Sequence, residues 1–452
     1  MILCYLVVTI FCISFCFLEK RMYKTWFTPL NLFSIPLLTV LGILILFSTF
    51  YKIPQVGLEI IFWYGIYITS FGVIGLVFYS VIQKYITNYR GVNHKLYLNK
   101  SISSIEYLDK IFMFLGITAG IYLILNFIYL AKGVPNLQAI TYSTFQNQYA
   151  GGINFYLRII CMIVITYFIG TITKQEKFKF LVVIIAYIPL VLGLVKGIVM
   201  LPLIAGFVFR YVISQNRFKL KNTILIIISC LIIFIGVYMI EDSLGSNENI
   251  LSIDFYLSKL EKFVIYLISG TQSFNINLSN NFIFKNYGVP NPTFAPFNNM
   301  FAKILDLARI DSVPSVRTFI GNFKYTGIAE TNTNTYIGTL ILYNGYYISF
   351  ITHVIWVTIS YLLFYRAIFS KKIIHYLTFS LFSFTLIMSW FDYWYLHSYW
   401  YYMWIIIELI NLSTKFKQHN KSDIKKKIDS ADMVNQRMNS GNNYVYIKSN
   451  KP

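Results

Sequence analysis

The strongest constraint on this chain is a series of separate apolar runs, each of about 17 to 25 residues, the length at which an α-helix crosses a hydrocarbon core of about 30 Å. The runs are continuous rather than alternating, which excludes the strand pattern of a closed barrel. Hydrophobic residues make up 57% of the chain and charged residues 12%, against about 25% charged in an ordinary globular domain. The sequence therefore predicts an all-α, polytopic integral membrane protein.

Eleven runs qualify as predicted transmembrane spans. Residues 1–18 are interpreted as the first span rather than as a secretion signal, because no basic region precedes them and no small-residue cleavage site follows them. The chain then divides into spans one to eight (1–240), one large external loop (241–335), spans nine to eleven (336–413) and a tail (414–452). The predicted spans are 1–18, 30–50, 58–82, 108–131, 153–173, 180–195, 197–213, 223–240, 336–364, 374–392 and 398–413.

Basic residues lie almost entirely on one side of this arrangement. The short loops of that side hold 16 Lys and Arg residues, whereas those of the other side hold Lys52 and Lys132. The positive-inside rule then predicts an external N-terminus and a cytoplasmic C-terminus. Topology thus accounts for the net charge of +20, and no nucleic-acid partner is expected. The basic tail 414–452 is predicted to be disordered and held near anionic membrane lipids.

The external loop differs in kind from the short loops. Its length of 95 residues is enough for a small subdomain, and with seven basic and eight acidic residues it escapes the charge bias that fixes the short loops. Within it, residues 254–270 have apolar side chains at helical spacing and predict an interfacial amphipathic helix. Three prolines in residues 287–297 exclude a regular helix and predict an ordered, extended loop.

Familiar cofactor signatures are absent from the sequence. It contains no Walker A loop, no dinucleotide-binding glycine fingerprint, no HExxH and no DxD pair, so no metal and no cofactor is expected. Because no predicted cytoplasmic segment is large enough to bind a nucleotide, any chemistry is expected to use a substrate reached from the outer leaflet. The cysteines lie inside apolar runs and are expected to be free packing residues: Cys4, Cys12, Cys16, Cys161 and Cys230.

Lys196 stands alone in the apolar stretch 180–213. The arms on either side are each about 25 Å long as helix, so the apex is expected just below the external membrane surface. Gly193 and Gly197 flank the lysine and a proline interrupts each arm, which predicts a tight, partly unwound hairpin. An ammonium held there needs an anionic partner or water. We interpret Lys196 either as a snorkelling interfacial lysine or as a cation that binds a lipid diphosphate.

Further cations are predicted on the same outer side. Arg158 lies five residues into the fifth span, where it is either an interfacial anchor or part of a substrate site. Arg309, Arg317 and Lys324 belong to the external loop, where each is a solvated surface charge or a ligand for phosphate oxygens, which Arg forks can bind bidentately.

Two residues between the last two spans are candidate acids or bases. Asp392 is a carboxylate at a predicted membrane boundary without a nearby basic residue, and His397 is the histidine predicted closest to the outer surface. The aromatic residues around them suit either a membrane-interface belt or a platform for sugar rings. Glu330, just before the ninth span, is another candidate acid or base.

Taken in order, several segments resemble the Wzy-type oligosaccharide repeat unit polymerases of O-antigen and capsule assembly. The family tends to show a Gly-x-basic-Gly apex before a long apolar helix, and Lys196 stands here where Arg is commoner. The similar segments are GLVKGIVMLPLIAGFVF (193–209), YLISGTQSFNINL (266–278), YGVPNPTFAPF (287–297) and NTNTYIGTLILYNGYYISFI (332–351).

In the last of these segments, Asn332, Thr335 and Gly345 match the family's Asn-x-x-Thr element and its aromatic-Gly step. The chain departs from the family where an acid often precedes that glycine, since Tyr343 and Asn344 occupy the region. By resemblance, Asn332 and Thr335 are assigned to substrate binding.

The resemblance implies a metal- and nucleotide-independent glycosyltransferase in the bacterial inner membrane. It would transfer a growing glycan from undecaprenyl diphosphate to a newly flipped lipid-linked repeat unit at the outer face, and Lys196 and the arginines would stabilise the leaving diphosphate. A chain-length regulator is a further partner that the resemblance leaves open.

Two alternatives remain. An O-antigen ligase would use the same donor with a lipid-core acceptor, although the order of the motifs favours a polymerase. A transporter or flippase of lipid-linked glycans would be expected to show internal repeats and charges through the membrane, whereas here the charges gather at the outer boundary.

Overall fold

The computed structural model describes residues 1–50, 53–90, 106–173, 175–214, 220–245, 252–281, 301, 318–370 and 372–413. Met1–Met403 form one compact unit, and residues 404–413 are the described part of a second. The predicted loop 287–297, Arg309, Arg317 and the tail 414–452 lie outside the described residues.

A helix overlaps each of the predicted spans. The helices are α1 (Ile2–Tyr23), α2 (Pro29–Phe50), α3 (Leu58–Arg90), α4 (Glu106–Lys132), α5 (Ser143–Ala150), α6 (Ile153–Thr171), α7 (Lys177–Leu192), α8 (Lys196–Ser214), α9 (Leu220–Gly245), α10 (Ile253–Ser279), α11 (Tyr336–Ser370), α12 (Ile373–Ile387) and α13 (399–413).

Among the described residues, eight helices are long and apolar enough to cross a membrane, namely α1, α2, α3, α4, α6, α8, α11 and α12 with its continuation to Trp390. The chain is therefore a helical membrane protein. The count of eleven spans stays a prediction, because α7 has 16 residues, the apolar part described in α9 is Leu231–Glu241, and α13 covers 399–413.

Contacts between helix ends show which ends lie together. Lys179 Nζ donates to Asp109 Oδ2 at 2.7 Å, which joins the first turns of α7 and α4. Near the end of α8, Arg210 Nη1 donates to the carbonyls of Ile169 (3.1 Å) and Ile172 (3.4 Å), where α6 ends. These contacts define one end of the bundle, called here the Arg210 end, and the α7–α8 turn lies at the other, called the turn end. This arrangement agrees with the predicted alternation of the spans.

The segment 241–335 is not entirely helical. Strands β1 (Thr318–Phe323) and β2 (Gly327–Thr331) form an antiparallel hairpin, which the all-α prediction missed. Its turn is fastened to α10, because the carboxylate of Glu261 accepts the backbone N–H groups of residues 324, 325 and 326 at 2.9, 2.7 and 2.7 Å.

Helix α10 is longer than the predicted amphipathic segment 254–270, and its second half is buried inside the protein rather than exposed. The reason is a row of polar side chains that bond to segments distant in sequence. Gln272 and Asn275 donate to the carbonyls of Pro54 (2.9 Å) and Gln55 (3.0 Å), and Ser273 donates to Asn334 (3.0 Å). These bonds satisfy polar groups that burial would otherwise penalise.

Helix α11 reverses direction at Gly345, where φ is 69° and ψ is 176°. The hydroxyl of Tyr336 lies 3.1 Å from Nδ1 of His353, although 17 residues of straight helix would separate them by about 25 Å. The predicted single span 336–364 is therefore interrupted, and residues 336–344 fold back against the part of α11 that follows. The glycine is required because a side chain is strained at this positive φ.

Candidate functional site

The α7–α8 turn is shorter and more compact than the sequence predicts. It consists of residues 193–195, Leu194 takes the positive φ (52°), and both helices continue through their prolines. Gly193 and Gly197 serve close packing instead of backbone freedom. A Cβ at Gly193 would lie under 3.0 Å from Nη2 of Arg158, and one at Gly197 equally close to the ring of Trp394. The two glycines thus bring α6 and the loop after α12 against the turn.

Lys196, the first residue of α8, has an acidic partner. Its Nζ lies 2.6 Å from Oε2 of Glu241 in α9 and 4.0 Å from the centre of the Tyr238 ring. The side chain of Lys196 is 19% exposed and that of Glu241 is 39% exposed. The partner that the sequence analysis required is thus a residue of the protein itself, and water reaches the pair.

Arg158 is more deeply buried than Lys196, with 4% exposure. Its Nε and Nη2 atoms have no hydrogen-bond partner within the described part of the chain, and no described carboxylate forms an ion pair with it. The guanidinium lies 5.7 Å from the centre of the Tyr149 ring, and the Tyr149 hydroxyl donates to the carbonyl of Pro189 in α7 at 3.1 Å. A buried cation without a counter-ion is costly, so an anion or water is expected beside it.

Asp392 lies in the loop between α12 and α13. Its Oδ1 accepts the N–H of Tyr393 at 2.7 Å, and burial raises the pKa of its carboxyl to about 7. Burial and, second, the charge of Asp392 raise the pKa of Tyr266 in α10 above its ordinary value, which shows that the two groups are neighbours. A carboxyl with this pKa exchanges a proton readily near neutral pH.

A chain of aromatic contacts connects Lys196 with the Asp392 loop. Tyr238, beneath the Lys196 ammonium, packs on Phe234 at 4.9 Å, and Phe234 packs on Tyr266 at 5.0 Å. Tyr266 in turn stacks on Phe391 at 4.1 Å. The lysine and the carboxylate therefore belong to one packed assembly at the turn end.

His397 is exposed in the same loop. Its ring stacks on Tyr399 at 5.2 Å and lies 5.3 Å from Trp394, the residue that packs on Gly197. The structure thus brings Arg158, Lys196, Asp392 and His397 to one end of the bundle through shared neighbours.

The remaining described candidates lie on or beside the β-hairpin. Glu330, Lys324 and Asn332 are exposed there. Thr335 is fully buried, and its Oγ1 caps α11 by accepting the N–H of Gly338 at 3.0 Å. No contact described here joins any of these four residues to Lys196 or Arg158.

Several buried polar groups at the turn end lack partners in the described structure, and the sequence analysis identified one of them. They include both polar atoms of the Asn344 side chain, Nε1 of Trp394 and the hydroxyl of Tyr399, in addition to Arg158. Buried polar groups are normally hydrogen-bonded, so their concentration here is typical of a site that holds water or a ligand. Asn344 and Gly345 form the reversal of α11, a signal the resemblance had noted without its geometry.

Within the described residues, no three His, Cys, Asp or Glu side chains are arranged to hold a metal ion. Described cysteines Cys4, Cys12, Cys16 and Cys161 are free, as expected.

The fold and this end of the bundle define a helical membrane protein with buried and half-buried cations gathered beside a carboxyl group. Residues 136–420 match the model of a family of unknown function, DUF6337. Because the match covers more than half of the chain, the protein belongs to that family. Neither a curated protein nor a solved structure matches the chain.

Proposed function

We propose that the protein polymerises undecaprenyl-diphosphate-linked oligosaccharide repeat units into O-antigen or capsular polysaccharide. The turn end would face the outside of the bacterial inner membrane. The observation that carries the proposal is Arg158, a buried guanidinium with two unpartnered nitrogens directly beneath the Gly193–Lys196 turn. A diphosphate supplies the negative charge and the acceptor oxygens that such a group lacks.

In the proposed reaction, a hydroxyl of the incoming repeat unit attacks the anomeric carbon of the glycan on the donor lipid. The bond from that carbon to the diphosphate oxygen breaks, and the diphosphate leaves with the electron pair. Asp392, with a pKa of about 7, accepts the proton of the hydroxyl as a general base. Arg158, assisted by Lys196, stabilises the charge that develops on the diphosphate.

The test uses purified protein and a lipid-diphosphate-linked repeat unit as the sole substrate. Arg158→Met should reduce polymer formation about 100-fold, the scale found when one charge-stabilising donor is removed. Because the substitution also removes a buried charge without a counter-ion, the variant should be as stable as the parent protein or more so. Lys132→Met removes an exposed charge at the end of α4 and serves as the control.

The outcome also separates the alternatives. Polymer from the Arg158→Met variant at the normal rate would contradict the assignment. Transfer of glycan to a lipid core without polymer would indicate a ligase, and movement of the intact lipid across vesicles without transfer would indicate a flippase.

A further inference from the structure

A shallow pocket lies at the Arg210 end, away from the site described above. It has a volume of about 520 Å³ and lies where α6 ends, α7 begins and α8 ends. Volumes of roughly 300 to 1,000 Å³ accommodate small ligands. Its lining consists of Ile172, Thr173, Glu176, Lys177, Phe180 and Arg210.

The positive charges of this pocket are held in place. The guanidinium of Arg210 is fixed by its bonds to the carbonyls of Ile169 and Ile172 at the end of α6. Lys177 is exposed in the first turn of α7 and forms no ion pair among the described residues. Both charges face a cavity at the boundary of the predicted membrane region.

The acidic lining residue is already engaged. Oε2 of Glu176 accepts the N–H and the hydroxyl of Thr173, both at 2.9 Å, and Oε1 pairs with Lys179. Lys179 in turn bonds Asp109. This network leaves Lys177 and Arg210 as the charges that a ligand in the pocket would meet.

An apolar stripe continues from the pocket along α7. Phe180, Ile184 and Ile188 are 59%, 41% and 41% exposed. They follow Lys177 at spacings of three and four residues, which places all four side chains on one face of the helix. A cation at the end of an exposed apolar stripe matches a molecule with an anionic head and a hydrocarbon tail.

We infer that this pocket binds an anionic glycerophospholipid. The phosphate lies between Lys177 and Arg210, and one acyl chain lies along Phe180, Ile184 and Ile188. Basic pockets between transmembrane helices on the cytoplasmic side are known to bind anionic headgroups. The inference is independent of the proposed polymerase activity.

The experiment measures lipid affinity of the full-length protein in neutral detergent, by native mass spectrometry and by the shift of Tm on titration. Phosphatidylglycerol should bind and raise Tm, and phosphatidylcholine should do so far less. Lys177→Gln should weaken phosphatidylglycerol binding about five-fold, the scale of one lysine near an anionic headgroup. Lys132→Gln, at the opposite end of α4, should leave the affinity unchanged.

A second pair of measurements tests the acyl chain. Phe180→Ala should weaken phosphatidylglycerol binding without changing the Tm of the lipid-free protein, because its ring is more exposed than buried. Equal affinity for phosphatidylcholine, or an unchanged affinity in Lys177→Gln, would overturn the inference. A Tm shift of the same size with inorganic phosphate alone would also overturn it, since the site would then bind a soluble anion.

Discussion

Nη2 of Arg158 occupies the space where a Cβ at Gly193 would stand. The α7–α8 turn therefore tolerates this buried guanidinium only because residue 193 has no side chain. Since the clash involves the end of a flexible side chain and no backbone atom, the two residues can be separated by a small movement of Arg158. Gly193 is thus a test of where the guanidinium lies, distinct from whether it is present.

We predict that Gly193→Ala folds and accumulates but loses activity by about 100-fold, the cost of misplacing a catalytic group by about 1 Å. Polymer formation and Tm are measured together. Gly236→Ala in α9 is the matched control, because a Cβ there meets nothing within 4 Å. Full activity in Gly193→Ala would show that the position of Arg158 is not critical.

Lys196 and Glu241 allow a test of whether the lysine serves the substrate or only its partner. The pair is partly exposed, so its loss should cost stability by at most about 1 kcal/mol. Lys196→Met should reduce activity about 100-fold, whereas Glu241→Gln, which leaves the ammonium available for an anion, should retain activity. Equal losses in the two variants would mean that the lysine acts only through the salt bridge.

The sidedness of the bundle can be measured directly by cysteine labelling in a Cys4→Ser background. Val195 at the turn end is 44% exposed, and Lys177 is exposed at the Arg210 end. We predict that Val195→Cys reacts with a membrane-impermeant maleimide in intact cells. Lys177→Cys should react only after permeabilisation. The reverse pattern would place the Arg158 site on the cytoplasmic side and contradict the proposed function.

The positions of the helices were predictable because apolar runs of membrane-spanning length leave few alternatives. The common location of Arg158, Lys196, Asp392 and His397 followed from counting those runs, and the structure brings them to one end. Glu241 was not identified as the partner of Lys196, because the ion pair joins residues 45 positions apart and sequence spacing gives no sign of it.

Two other features were missed for related reasons. The amphipathic pattern of α10 was interpreted as membrane-interfacial, whereas segments near residues 54–57 and 333–334 cover its polar face. The reversal of α11 depends on one glycine in an apolar stretch, and Gly345 does not disturb the hydrophobic pattern from which the span was predicted.

The reversal of α11 predicts a specific loss of stability. Tyr336→Phe removes the hydroxyl that lies 3.1 Å from His353 Nδ1 and leaves a buried ring nitrogen without that partner. We expect a loss of about 1 to 3 kcal/mol, measured as a lower Tm in detergent. Tyr347→Phe, at a residue 88% exposed, should leave Tm unchanged. A Tyr336→Phe variant as stable as the parent would show that this contact does not hold the folded-back segment.

Asp392 links activity and stability to pH in opposite directions. Its carboxyl acts as a base only when ionised, so kcat/KM should rise as the pH increases through about 7. Burial raises its pKa above the ordinary value of 3.8, so the folded protein holds the proton more tightly than the unfolded chain does. The stability contributed by this group is therefore full below about pH 3.8 and is lost as the pH rises through about 7. Asp392→Asn cannot ionise and should lose activity at every pH, while its Tm should fall less than that of the parent between pH 5 and 8. Both quantities are measured on the same preparations. Parallel Tm profiles for the two proteins would show that the carboxyl titrates near its ordinary pKa, and it would then have no proton-transfer advantage over any exposed carboxylate at the turn end.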